Sequence, residues 1–250
     1  MKSPHPVRAL ILAAGRGERM RPLTDSTPKP LLPVRGKPLI EWHLQALARA
    51  GVREVVVNTA WLEEQYPATL GDGARWGLTI RYSMEGRDHG GALETAGGIA
   101  KALPWLAPHF AEQRTNHNDE VFWVISGDIF APEFSFDALD VERFRQRSNL
   151  LAQLWLVPNP AYHARGDFGI GADGLGLADG PGPDGQRWTY ANLALMRPAL
   201  CAHIPAGQRA ALGPLLFERM REGRIGVQAY AGEWANVGTP EQLVALNLHR

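Results

Sequence analysis

An almost uninterrupted apolar run over residues 7–13, VRALILA, feeds straight into the loop AGRGERMRPLT. A strand this apolar along both of its faces belongs in the interior of a parallel sheet that has helices packed on either side. The loop after it carries two glycines and three arginines. Pro22, Pro28, Pro30 and Pro33 then prevent a long helix from opening directly out of it. A chain of this kind is therefore expected to start a doubly wound sheet and to place a basic, glycine-rich loop at that sheet's edge.

The rest of the first half repeats the alternation. PLIEWHLQALARAG sets Ile40, Leu44 and Leu47 on one helical face, with Pro38 suited to its first turn and Gly51 to its end. REVVVN is a second buried strand, and WLEEQYPATL is a helix interrupted near Pro67. LTIRYS is a third strand, ETAGGIAKAL a short helix, and VFWVISGD a fourth strand ending in Gly127-Asp128. The polar stretch HFAEQRTNHNDE reads as a surface excursion. In the second half LLAQLWLV and WTYANLALM are strands on either side of the glycine-rich residues 171–185, which contain Pro181 and Pro183, and a last helix begins at Pro240. The expected fold class is α/β: a Rossmann-like core with a mainly parallel sheet and a small β-rich lobe. The chain is expected to form one domain, with its core over residues 1–148 and the lobe with closing elements over 149–250.

Composition removes several function classes. The 26 basic and 26 acidic side chains cancel, which argues against a surface that coats nucleic acid. One cysteine, Cys201, excludes an internal disulfide and a cysteine-based zinc cluster, and the eight histidines show no ligand-like spacing. No apolar run is long enough to span a membrane. A cytoplasmic protein, monomeric or weakly oligomeric, with neither nucleic-acid nor membrane partners, is the expectation.

Glycine loops after a first strand cradle phosphates with backbone N–H groups. This one lacks the Gly-x4-Gly-Lys-Ser/Thr of a Walker A loop. It also lacks the third glycine of the dinucleotide fingerprint, whose place is taken by Met20. With no helix dipole directly behind it, the loop must meet an anion with side-chain charge, which Arg16, Arg19, Arg21 and Lys29 can supply. Gly127-Asp128, at the end of a buried strand, stands where open α/β sheets place ligands. A carboxylate there suits Mg²⁺.

The string LAAGRGERMRPLT…TPKPLLPV resembles the signature of the sugar-1-phosphate nucleotidyltransferases, and the resemblance continues toward the C-terminus. It implies a reaction of a nucleoside triphosphate with a sugar 1-phosphate, releasing pyrophosphate. It further implies that Ala13, Ala14, Gly15, Gly17, Glu18 and Arg19 wrap the triphosphate, that Lys29 touches the α-phosphate, and that Asp128 binds Mg²⁺. The family's second metal ligand is usually an Asp, and WANVGT puts Asn236 in that place. The segment GGALETAGGI is implied to read the base, with Glu94 and Thr95 as side-chain contacts and Gly97 and Gly98 allowing close backbone approach. NPAYHARGDFGI is similar to a segment of the branch that uridylylates N-acetylmuramate 1-phosphate in peptidoglycan recycling, which points to UTP as donor. For that sugar Arg165 is the candidate partner of the lactyl carboxylate, and Asp167 and Asn192 are candidates for hydroxyl or N-acetyl contacts. The sugar phosphate is already ionised and needs no general base, so Lys29, Arg19 and Asp128 are expected to carry catalysis. Two alternatives stay open: a glucose- or mannose-1-phosphate nucleotidyltransferase, and a catalytically weak nucleotide-binding regulatory module.

Overall fold

The apolar runs form strands in the computed structural model, which describes residues 6–113 and 120–248. β1 (Arg8–Leu12) is followed by a short hairpin of β2 (Pro33–Val34) and β3 (Lys37–Pro38), then by β4 (Glu54–Thr59), β5 (Thr79–Met84) and β6 (Phe122–Ser126). β7 (Ile129–Phe130) continues just beyond β6. The second half adds β8 (Ala152–Val157), β9 (Gly169–Ile170), β10 (Gly176–Leu177), β11 (Thr189–Met196), β12 (Ile225–Ala229) and β13 (Ala235–Asn236). Seven of these make one sheet in the order β12-β8-β11-β6-β1-β4-β5. Every neighbouring pair is parallel except the two made by β11. The two strands expected in the second half thus extend the central sheet, and β9–β10 and β7–β13 pair outside it.

The helices, in chain order, are α1 (Leu23–Ser26), α2 (Leu39–Arg49), α3 (Gln65–Leu70), α4 (Glu85–His89), α5 (Glu94–Leu106), α6 (Pro108–Gln113), α7 (Ala138–Gln146), α8 (Leu212–Arg221) and α9 (Pro240–Leu248). They cover both sheet faces, which is why β1 can be apolar throughout: Ala9, Leu10 and Ile11 have no exposed surface. Ile11, Leu44, Val57 and Trp123 share one core, while Leu10, Ile99, Phe122 and Leu154 share the other. Burying each such side chain is worth about 1.5–3 kcal/mol. A third cluster joins Met20, Val34, Leu39, Phe130, Val237 and Leu243. Met20 therefore does structural work where a dinucleotide-binding loop has glycine: it pins the basic loop to the hairpin and to α9.

Two expectations need correction. Pro67 does not interrupt a helix; the chain turns through residues 61–64 and α3 starts at Gln65, so Pro67 falls in the first turn, where its missing N–H has no helical partner to lose. The helix in ETAGGIAKAL is not short, because α5 runs 13 residues and carries Pro104 in its last turn. Of the polar stretch before β6, α6 ends at Gln113 and residues 114–119 lie outside the described residues. No helix among the described residues is long and apolar enough to cross a membrane.

Candidate active site

The loop after β1 is held open by its neighbours. Gly17 sits at φ 68 and begins a 3-10 turn over Glu18–Met20 instead of an α-helix. A Cβ at Gly17 would lie 2.9 Å from the Thr24 Cγ2, while the Thr24 hydroxyl donates to the Gly17 carbonyl at 2.8 Å. At the loop's start the buried Tyr66 hydroxyl donates to the Ala13 carbonyl at 2.8 Å, and burial holds that phenol protonated by pushing its pKa up. Ala13 N–H in turn donates to the Asn58 Oδ1 at 2.7 Å. The loop backbone is thus fixed before any ligand arrives.

A cavity of about 330 Å³ opens at the carboxyl ends of β1, β4 and β6. Its walls include Ala13, Ala14, Gly15, Gly17, Lys29 and Asp128, and on the other side Asn58, Glu94 and Thr95. Lys29 lies in a 3-10 turn between two prolines, its side chain only 10% exposed, and its Nζ donates to the Asp128 Oδ2 at 2.6 Å. Beneath them the buried His43 of α2 donates from Nε2 to the Ile129 carbonyl at 2.8 Å. Burial lowers its pKa to about 4, so the ring stays neutral.

A second cavity of about 350 Å³ shares Leu12, Thr95 and Ser126 with the first, so the two adjoin. Asp167, Tyr190 and Asn192 supply its polar wall. Asn192 has φ 59, at the point where β11 slips register against β8 between Tyr190 and Ala194. Such a bulge re-aims a side chain, and positive φ in a non-glycine residue is strain of the kind found at functional sites. Asp167 is held by the Tyr190 N–H at 2.8 Å and by His163 Nε2 at 2.9 Å.

The geometry is one of two adjoining cavities at a sheet's carboxyl edge, with a lysine–carboxylate pair in the first. The nucleotidyl transferase family matches this chain over residues 8–166. The chain belongs to that family. The N-acetylmuramate alpha-1-phosphate uridylyltransferase of Neisseria meningitidis serogroup B is 43% identical over 93% of this chain and 94% of its own length. The protein of that same description from Caulobacter vibrioides is 31% identical over 96% and 95%. A crystal structure from Bacillus anthracis, described as a glucose-1-phosphate thymidylyltransferase with sucrose bound, superposes at a TM-score of 0.71. It covers 97% of this chain and 94% of its own at 20% identity, which supports the fold.

In this nucleotidyltransferase the expected site residues divide into groups. Ala13, Ala14, Gly15, Gly17, Lys29, Glu94, Thr95 and Asp128 come together on the first cavity, and Asp167 and Asn192 on the second. Of the four expected cations, Arg16 stacks over Trp61 at 4.0 Å and Arg21 pairs with Asp25 at 3.1 Å. Arg19 and Glu18 are exposed on the loop, outside the walls of both cavities; the Arg19 guanidinium reaches toward Gly238, where a Cβ would be 3.5 Å from its Nη2. Arg165 is exposed and lines neither cavity.

Gly97 and Gly98 line neither of the two cavities. Both are buried inside α5, and the N–H groups of Ala96 and Gly97 already donate to the Ala210 carbonyl at 2.9 and 3.1 Å. Gly97 lets the segment at Gln208 and Ala210 pack on the helix, and Gly98 lets Asn58 and Glu85 do so. Both glycines serve close packing within the fold. Asn236 pairs opposite Ile129 across β7–β13, and the next N–H, of Val237, donates to the Asp128 carbonyl at 2.9 Å. It also borders a third, largely apolar cavity of about 450 Å³ beside α9.

Sequence reasoning missed Asn58, Tyr66 and Glu85. Asn58 carried the signal that singled out Asp128, a polar side chain at the carboxyl end of an apolar strand, and Glu85 follows directly on β5.

Proposed function

We propose that this nucleotidyltransferase transfers UMP from UTP to N-acetylmuramate 1-phosphate and releases pyrophosphate. The observation that carries the proposal is the junction of the two cavities at Leu12, Thr95 and Ser126 beside the Lys29–Asp128 pair. One cavity has the glycine loop that suits a triphosphate, the other a polar wall that suits a sugar. The acceptor and the uridylyl group are those named for the Neisseria and Caulobacter relatives, and UTP is the triphosphate that carries that group. A phosphate oxygen of the sugar attacks the α-phosphorus, the bond from that phosphorus to the bridging oxygen of the β-phosphate breaks, and pyrophosphate leaves with the electron pair. Lys29 is placed to shift from Asp128 to the α-phosphate and to neutralise charge that builds there. Asn192 and Asp167 hold the sugar so that its phosphate meets the nucleotide at the shared wall.

Asp128 and Asn236 would hold Mg²⁺. The Asn236 Oδ1 is buried without a hydrogen-bond partner, on the strand paired with the segment after Asp128, and an amide oxygen left unsatisfied together with a carboxylate is the hard-oxygen chemistry this ion takes. When bound, the ion neutralises phosphate charge and favours departure of pyrophosphate. Among the described residues no three His, Cys, Asp or Glu side chains converge, so the phosphates would complete its shell.

The acceptor is tested by comparing N-acetylmuramate 1-phosphate with N-acetylglucosamine 1-phosphate at saturating UTP. A preference of about tenfold or more for the muramate is expected from a site adapted to the extra lactyl group; equal use of both would defeat this part of the proposal. In the same assay Arg165→Ala should change both sugars by less than about twofold, as befits an exposed charge away from either cavity. A loss confined to the muramate would return Arg165 to the sugar site.

A further inference from the structure

A chain of buried hydrogen bonds runs between the two walls of the first cavity. Ala13 N–H donates to Asn58 Oδ1 at 2.7 Å, Asn58 Nδ2 donates to Glu85 Oε1 at 2.8 Å, and Leu93 N–H donates to Glu85 Oε2 at 2.7 Å. Glu85 has no exposed surface and Asn58 has 2%. A buried carboxylate is costly unless its oxygens are satisfied, and here each has a donor. Ala13 starts the glycine loop, while Leu93 lies between Ala92 and Glu94, which line the opposite wall. We propose that Asn58 and Glu85 form a relay that fixes the glycine loop against the segment entering α5 and so sets the width of the nucleotide cavity, with Glu85 as a positioning residue that does not itself touch the nucleotide. The proposal rests on assigning this cavity to the nucleotide.

The chemistry of the relay fixes which residues can occupy it. Both of its ends are backbone donors that cannot turn round, so the two side chains between them must together offer three acceptors and one donor. One amide and one carboxylate satisfy that condition in either order. Two amides leave a buried donor facing a donor, and two carboxylates leave two acceptors facing each other. Gly98 protects the arrangement, because a Cβ there would lie 2.6 Å from Asn58 Nδ2 and 2.7 Å from Glu85 Oε1.

The test is a four-protein cycle on the full chain: wild type, Glu85→Gln, Asn58→Asp, and the double variant. UTP binding is measured by calorimetry with Mg²⁺ present, and the KM for the sugar phosphate at saturating UTP. Glu85→Gln in the wild-type background should weaken UTP by about tenfold, the scale of one buried donor left unpaired. It should leave the sugar-phosphate KM within about threefold, since Asp167, Tyr190 and Asn192, which supply that cavity's polar wall, make none of the relay's hydrogen bonds. In the Asn58→Asp background the same substitution should instead tighten UTP by about fivefold or more, because it restores the amide–carboxylate pair. Any repulsion between the carboxylate that Asn58→Asp introduces and the phosphates is common to both proteins of that comparison and cancels. Gly98→Ala supplies an independent arm that does not require Asn58→Asp to fold, and should weaken UTP selectively. Changes of the same sign in both backgrounds, or an equal loss for the sugar phosphate, would overturn the relay while leaving the nucleotide assignment intact. Failure of the wild-type protein to bind UTP would overturn both.

Discussion

Lys29→Ala is expected to lower turnover by about two to three decades, the scale of removing one donor aimed at transition-state charge. Nucleotide affinity should fall far less, because the backbone of residues 13–17 is held by Tyr66, Asn58 and Thr24, none of which depends on the lysine. The geometry explains the size of the effect. Pro28 and Pro30 flank Lys29, the 3-10 turn Lys29–Leu31 is buried, and the ammonium reaches Asp128 at 2.6 Å with little freedom to go elsewhere. None of the other three expected cations is so placed: Arg16 is stacked on Trp61, Arg21 is paired with Asp25, and Arg19 stands out on the exposed loop. Steady-state kcat at saturating substrates, set beside the UTP dissociation constant, separates the two quantities. Near-normal kcat would remove Lys29 from the chemistry.

The second large effect concerns Asp128. Asp128→Ala should cost several decades in activity, and much more than Asn236→Ala, because it removes the carboxylate that lines the first cavity beside Lys29 and the glycine loop. Asn236 brings an amide oxygen without formal charge, so Mg²⁺ should bind chiefly together with the nucleotide. Asn236→Asp should therefore shift half-maximal activity to lower free Mg²⁺, by about tenfold if the added charge faces the ion. Activity at saturating Mg²⁺ is a separate matter, since a carboxylate at position 236 also repels the triphosphate. Mg²⁺ titration at fixed free UTP reads the shift. Superimposable curves for wild type and Asn236→Asp would mean that the amide turns toward the apolar cavity beside α9 and not toward the metal.

What the sequence made legible follows from short-range rules. The apolar runs had to be strands, prolines had to keep a long helix away from the glycine loop, and Asp128 had to fall at the carboxyl edge because it lies in the turn that directly follows β6. The packing role of the glycines of α5 was not legible, because a glycine that admits a ligand and one that admits a neighbouring side chain look the same in sequence. Which applies to Gly98 depends on Asn58 and Glu85, which are far from it in the chain and meet only when β4 and β5 pair. Arg165 was chosen by residue type within a segment whose path is set by long-range contacts. Nearby, the Asn159 amide donates to the Arg187 carbonyl at 2.8 Å, and the Thr189 hydroxyl donates to the Asn159 Oδ1 at the same distance. Asn192 was legible by type alone; its positive φ at a β-bulge, which gives it its direction, was not.

The central claim is that the two adjoining cavities bring a nucleoside triphosphate and a sugar 1-phosphate together for transfer. It is tested most directly by pyrophosphate release with Mg²⁺, crossing UTP, dTTP, GTP and ATP with N-acetylmuramate, N-acetylglucosamine, glucose and mannose 1-phosphates. The account predicts the highest kcat/KM for UTP with N-acetylmuramate 1-phosphate, with one nucleotide sugar formed per pyrophosphate. A higher kcat/KM for glucose or mannose 1-phosphate would contradict the acceptor, and nucleotide binding without pyrophosphate release from any pair would contradict the transfer itself.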